Sequence, residues 1–182
     1  MIVVTGASSG VGREILKNLC NFDTVLGLYY KNDSIKSLKY KQLIPLKLDL
    51  HNEKKIENFV GNHLFNQKKI TVINLASIKK DSLILNQTIE DVEEVFKINY
   101  FAPLILARYV LPLMMRNNWG RFIFFSSTLG DKGDLGTSSY TSSKLSLLGL
   151  SRMISLEYGE FNITSNVIRL GIFKTGLFSK LK

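Results

Sequence analysis

Tyr140 and Lys144 stand four residues apart in Tyr140-Thr141-Ser142-Ser143-Lys144, and Ser127 lies 13 residues before Tyr140. Residues four apart on a helix share a face, so both side chains would project the same way. A free phenol has a pKa of about 10 and is a poor acid–base group at neutral pH. A nearby ammonium favours the phenolate and lowers that value. The pair therefore suits proton transfer to or from a substrate oxygen. A serine hydroxyl hydrogen-bonded to the same oxygen would stabilise developing charge. Ser127 is assigned that part, with Ser126 as the adjacent alternative. A Tyr-x-x-x-Lys spacing alone is common and is more often an exposed pair.

A second constellation is Thr5-Gly6-Ala7-Ser8-Ser9-Gly10-Val11-Gly12. Glycines let backbone come close to a pyrophosphate, and a helix beginning there offers free N–H groups and the positive end of its dipole. Gly6, Ser8, Ser9, Gly10, Val11 and Gly12 are thus candidate nucleotide contacts, with a purely structural tight turn as the plain alternative. The triphosphate-binding pattern Gly-x-x-x-x-Gly-Lys-[Ser/Thr] is absent, because Arg13 and Glu14 follow Gly12.

Other chemistries have little raw material. Cys20 is the single cysteine, so an internal disulfide or cysteine-rich metal site is excluded. His51 and His63 are the two histidines, too few and too distant for a histidine triad or zinc site, and no metal is expected. The 24 basic residues exceed the 15 acids, for a net charge of +9. The lysines are scattered as pairs (54–55, 68–69, 79–80) without a long run, which reads as a solvated surface rather than a nucleic-acid or membrane patch. Neither partner is expected. Met1 to Val4 is too short for a signal segment. The apolar stretch 101–115 is interrupted by Pro103, Arg108 and Pro112 and falls short of a membrane span. A reducing cytoplasm is the expected location.

These constellations need a scaffold. The 182 residues suit one domain, with 45% hydrophobic and 21% charged residues as in a soluble globular protein. Short apolar runs at 2–5, 24–29, 43–48, 70–75, 121–125 and 163–168 read as strands. Helical patterns follow at 11–19, 52–65, from Thr88 to about 117, and at 138–158. The third of these opens on a capping box at Thr88 and is long enough to require a bend near Asn99 or Pro103. Strands separated by helices imply parallel crossovers, and near-continuous apolar strands imply cover on both faces. The expected fold is α/β: a doubly wound, mostly parallel, Rossmann-like sheet of at least six strands in a single domain, 1–182.

The spacing Thr-Gly-x-x-x-Gly-x-Gly at the first strand–helix junction, with the serine–Tyr-x-x-x-Lys set, resembles the single-domain short-chain dehydrogenase/reductase family. The resemblance covers residues 1 to about 177. It implies a carbonyl–alcohol oxidoreductase with Asn99, Ser127, Tyr140 and Lys144 as catalytic residues. Asn99 would hold a proton-relaying water, and Lys144 would also hold the nicotinamide ribose. Leu48-Asp49-Leu50 is similar to the segment around the family's adenine-contacting aspartate, placing Asp49 and Leu50 at the cofactor. A helix N-cap is the neutral reading of Asp49. Asn74-Leu75-Ala76-Ser77 matches the family's Asn-Asn-Ala-Gly motif at Asn74 and Ala76 only. Gly171, Phe173 and Thr175 fall where the family contacts the carboxamide, although Leu170 replaces its usual proline.

An NAD-binding member would carry an acid at the end of the second strand. This chain has Tyr30 and then Lys31, so NADP(H) is the expected cofactor, with NAD(H) possible and Arg13 a weaker phosphate contact. The commonest activity for this resemblance is 3-oxoacyl-[acyl-carrier-protein] reduction. The polar loop Gly130 to Gly136 hints instead at a hydrophilic substrate. A catalytically silent NADP(H)-binding regulatory or scaffold protein stays open. Members of the family commonly form homodimers or homotetramers through the helices bearing Asn99 and Tyr140. They also continue beyond a point corresponding to Lys182, so the substrate-covering segment and last strand are expected to be missing from 1–182.

Overall fold

A computed structural model of the chain describes residues 1–171. Its strands are β1 (Ile2–Thr5), β2 (Val25–Tyr29), β3 (Leu43–Lys47), β4 (Thr71–Asn74), β5 (Gly120–Ser127) and β6 (Ile163–Leu170). They pair in parallel throughout, in the order β3-β2-β1-β4-β5-β6. The direction of winding reverses between β1 and β4, where a sheet of this kind opens a crevice at its carboxyl edge.

Successive side chains of a strand face opposite sides, and here both sides are covered. Val3, Leu26, Leu28, Val72, Phe122 and Phe124 pack on one face against α2 (Glu53–Leu64), α4 (Ala102–Arg116) and α6 (Ser138–Tyr158). Ile2, Val4, Val25, Ile73 and Phe125 pack on the other, with Leu16 of α1 (Gly10–Leu19). Cys20 is buried in this second cluster, and burial pushes its thiol pKa up.

The long third helix changes type part-way and does not break. Helix α3 (Ile89–Phe96) is capped by Thr88, whose hydroxyl accepts from Asp91 N–H at 3.2 Å. A π-helical turn, Lys97–Phe101, joins it to α4. Asn99 lies within that turn and is buried in the interior, while Pro103 sits in the first turn of α4. The stretch Ile89–Arg116 is long and apolar enough to cross a membrane, yet Leu106, Val110 and Met114 are fully buried in the core. The polar segment Gly130 to Gly136 begins within a short helix, α5 (Leu129–Lys132), which ends at Gly133 with φ 68°.

Candidate active site

Helix α1 begins where β1 ends, and its N-cap is Ser9, whose hydroxyl accepts from Gly12 N–H at 3.0 Å. Two glycines are required by contact. Gly6 has φ +65°, and a Cβ there would lie 2.7 Å from the Ala76 backbone. A Cβ on Gly12 would lie 2.5 Å from the Gly6 carbonyl oxygen. The helix thus starts hard against the strand end, leaving its amino end open above. Thr5 locks the neighbouring loop: its hydroxyl accepts from Leu75 N–H at 3.1 Å and Ala76 N–H at 3.0 Å.

A cavity of about 600 Å³ runs from this loop to α6, within the range of small-molecule and cofactor sites. Gly6, Ser8, Ser9, Gly10 and Val11 line one end. Lys31, Leu50 and Ala76 line the middle, and Ser127, Tyr140, Lys144 and Gly171 the far side. Gly12 lies beneath the loop and not on the wall, so its part is packing. Asp49 and Asn74 are also absent from the wall. Arg13 is exposed on α1, away from the cavity. Phe173 and Thr175 lie outside the described residues.

Asp49 accepts from His51 N–H and pairs with the His51 ring, both at 3.1 Å, and with Lys55 at 3.5 Å. Burial works against its carboxylate, but the His51 hydrogen bonds and the Lys55 charge outweigh that and hold the pKa below the ordinary value. The cap of α2 is Asn52, accepting from Lys55 N–H at 3.1 Å, which corrects the capping reading of Asp49. Asp49 instead turns the His51 ring, which lines the cavity 6.2 Å from the Tyr30 ring. Sequence reasoning passed over His51 because an isolated histidine carries no spacing signal. Asn74 is buried at the end of β4 with its Nδ2 unpartnered.

Tyr140 and Lys144 project together from the first turns of α6, at 5% and 3% exposure. Burial raises the Tyr140 pKa; the Ser77 and Ser127 hydroxyls act the other way, and Asp81 adds to the rise. Burial drives Lys144 down to about 8, and its amine donates to the Phe125 carbonyl at 2.8 Å, 5.8 Å from the Tyr140 ring centre. The expected lowering of the phenol by the ammonium is therefore not the dominant influence. Burial shifts both groups towards their neutral forms, because removing them from water penalises either charge.

The two serines divide. Ser126 donates to the Lys144 carbonyl at 2.8 Å and ties β5 to α6. Ser127 accepts from Leu129 N–H at 3.2 Å and is the one that acts on the phenol. The Asn99 side chain is fully engaged within the protein. Its Oδ1 accepts from Ile78 N–H at 2.9 Å and the Ser77 hydroxyl at 3.2 Å, while its Nδ2 donates to the Ile78 carbonyl at 3.0 Å and to Ser143 at 2.9 Å. That uses both acceptor sites and both donors of the amide. Through its side chain Asn99 clamps the loop after β4 to α6.

The pattern of the short chain dehydrogenase family matches residues 1–182. The chain belongs to the short chain dehydrogenase family. It is 30% identical over 185 residues to a 3-oxoacyl-[acyl-carrier-protein] reductase of Buchnera aphidicola, covering 98% of this chain and 76% of that protein. It is 28% identical to carbonyl reductase family member 4 of Xenopus laevis, covering 98% and 78%. A short-chain dehydrogenase from Streptomyces avermitilis superposes with a TM-score of 0.87 at 26% identity, over 97% of this chain and 67% of that one. The fold is also that of ElxO with NADP bound, at a TM-score of 0.90 and 20% identity, over 98% and 76%.

Membership makes the chain an oxidoreductase acting on carbonyl or CH–OH groups with a nicotinamide cofactor. The residues present fit that group. The glycine loop lines one end of the cavity at the open N-terminus of α1, and Tyr140 and Lys144 stand at the other end of the same cavity.

Proposed function

We propose that this short-chain dehydrogenase is an NADP(H)-dependent enzyme interconverting a carbonyl and a secondary alcohol, with a 3-oxoacyl thioester as the carbonyl substrate. The carrying observation is that Ser127, Tyr140 and Lys144 line one cavity with the glycine loop. In reduction, Tyr140 gives its proton to the carbonyl oxygen while the Ser127 hydroxyl hydrogen-bonds that oxygen. Bound in the cavity, the reduced nicotinamide supplies the hydride. Lys144 holds the ribose and, charged, favours the phenolate left on Tyr140. Gly6, Ser8, Ser9, Gly10 and Val11 hold the phosphates, and Leu50, Ala76 and Gly171 flank the rings.

The NADP(H) preference rests on the end of β2. Tyr30, Lys31 and Asn32 line the cavity there, with no carboxylate among them to repel a 2′-phosphate. The thioester substrate follows the activities of the relatives. Phe101, Leu145, Met153 and Leu156 leave apolar surface exposed on and beside α4 and α6, supporting a homodimer or homotetramer built on these helices in the cytoplasm. The test is nucleotide oxidation with acetoacetyl-coenzyme A. Faster turnover with NADPH than NADH is expected. Turnover of simple ketones alone would overturn the substrate, and a clear NADH preference would overturn the cofactor.

A further inference from the structure

The strand order decides which half of a dinucleotide lies where. The glycine loop follows β1, while Ser127 ends β5 and Lys144 is bonded to it, beyond β4 on one side. With the phosphates at the loop and the nicotinamide beside Tyr140, the adenosine half must run the other way, over the carboxyl ends of β2 and β3. The cavity wall there carries Tyr30 and Lys31 after β2, and Leu50 and His51 after β3. Asp49, expected at the adenine, is not on that wall.

Asp49 acts on its neighbour instead. Its Oδ1 accepts from His51 N–H and faces His51 Nδ1, both at 3.1 Å, while its Oδ2 pairs with Lys55 at 3.5 Å. An ionised carboxylate only accepts, so in the neutral ring Nδ1 must carry the proton. Nε2 is then a bare lone pair. Among the described residues it has no hydrogen-bond partner. The ring lines the cavity and Asp49 does not, so the Nδ1 side is turned off the wall and Nε2 is left to the cavity. Moving the proton to Nε2 would set two lone pairs, of Nδ1 and Asp49, against each other. Glu94, on α3, is the one carboxylate among the described residues lining the cavity, and it too only accepts.

We propose that His51 reads the adenine ring of the cofactor, its Nε2 accepting a hydrogen bond from the 6-amino group, with Asp49 as the positioning residue that fixes the ring's tautomer. This rests on the glycine loop holding the dinucleotide phosphates. Adenine carries a donor at that edge. A purine with oxygen at C6 presents lone pairs there, facing the lone pair of Nε2. The site therefore selects the amino purine by an acceptor held in place, and the selection is lost if the ring is freed to change tautomer.

The test compares NADPH with reduced nicotinamide hypoxanthine dinucleotide phosphate by fluorescence titration at about pH 8, above the ordinary imidazole range. The two nucleotides differ at C6 of the purine, an amino group against an oxygen. Wild type is expected to bind NADPH more tightly by about 5-fold or more, the worth of one hydrogen bond. His51→Phe keeps a ring but has no acceptor, and is expected to lose most of that preference through weaker NADPH binding. Asp49→Ala frees the ring to carry its proton on either nitrogen, and is expected to shrink the preference as well. Each preference is a ratio of two affinities within one protein, so a loss of stability common to both titrations does not enter it. Equal binding of the two nucleotides by wild type, or an unchanged preference in His51→Phe, overturns the proposal. Failure of wild type to bind either nucleotide would instead overturn the cofactor reading beneath it, and the proposal with it.

Discussion

The Lys144 amine donates to the Phe125 carbonyl at 2.8 Å, joining α6 to the carboxyl end of β5 deep inside the protein. Burial lowers the pKa of this amine from 10.5 to about 8. The folded state therefore holds the charged form less well than the unfolded chain does. Between about pH 8 and pH 10.5 the unfolded chain binds the additional proton, so this group makes stability rise with pH across that window. Below pH 8 both states are protonated and the full penalty is present. Lys144→Met is expected to stabilise the protein at pH 7 by about 1–3 kcal/mol, less the loss of the Phe125 bond. That gain should fade as pH rises through the window. Urea midpoints of both proteins from pH 7 to pH 10 check it.

Asn99 joins segments far apart in the chain: Ile78 and Ser77 on one side, Ser143 on the other. Asn99→Ala removes four hydrogen bonds and leaves buried partners without them. A loss of about 2–4 kcal/mol in urea unfolding is expected. A neutral result would deny the clamp.

Gly12 has backbone where a side chain would go. Gly12→Ala places a methyl 2.5 Å from the Gly6 carbonyl oxygen, in contact with rigid chain and not with a movable side chain. Stability is expected to fall by about 1–3 kcal/mol, and nucleotide binding with it as the loop is pushed outward. Calorimetric unfolding and nucleotide titration on the same variant would show both.

Lys31 lies at the cavity with its amine 6.0 Å from the Tyr30 ring centre. Lys31→Ala is expected to weaken NADPH binding by roughly 3- to 10-fold and to leave NADH binding unchanged. Equal losses for both nucleotides would show that Lys31 does not read the 2′-phosphate. Fluorescence titration with each nucleotide separates the cases.

Local spacing carried most of the site into view. Tyr140 and Lys144 needed only a helix, and the glycine loop needed only a strand before it and a helix after it. The apolar strand runs were legible for the same reason, since both faces of the sheet are covered. What stayed hidden depended on distance in sequence. The four bonds of Asn99 reach residues 21 to 44 positions away, so its clamping part has no local signature. Thr5 likewise receives bonds from residues 70 and 71 positions on. The neutral leaning of Tyr140 and Lys144 follows from burial depth, which pairwise spacing does not express. His51 reaches the cavity because Asp49 orients its ring, a relation that follows from the turn between β3 and α2.

The central claim is that the Tyr140 phenol supplies the proton. Steady-state oxidation of NADPH with acetoacetyl-coenzyme A, measured for wild type and Tyr140→Phe beside NADPH titration of both, tests it most directly. The account predicts a fall in kcat of about 100- to 10,000-fold with NADPH affinity retained. Wild-type turnover by Tyr140→Phe would contradict it.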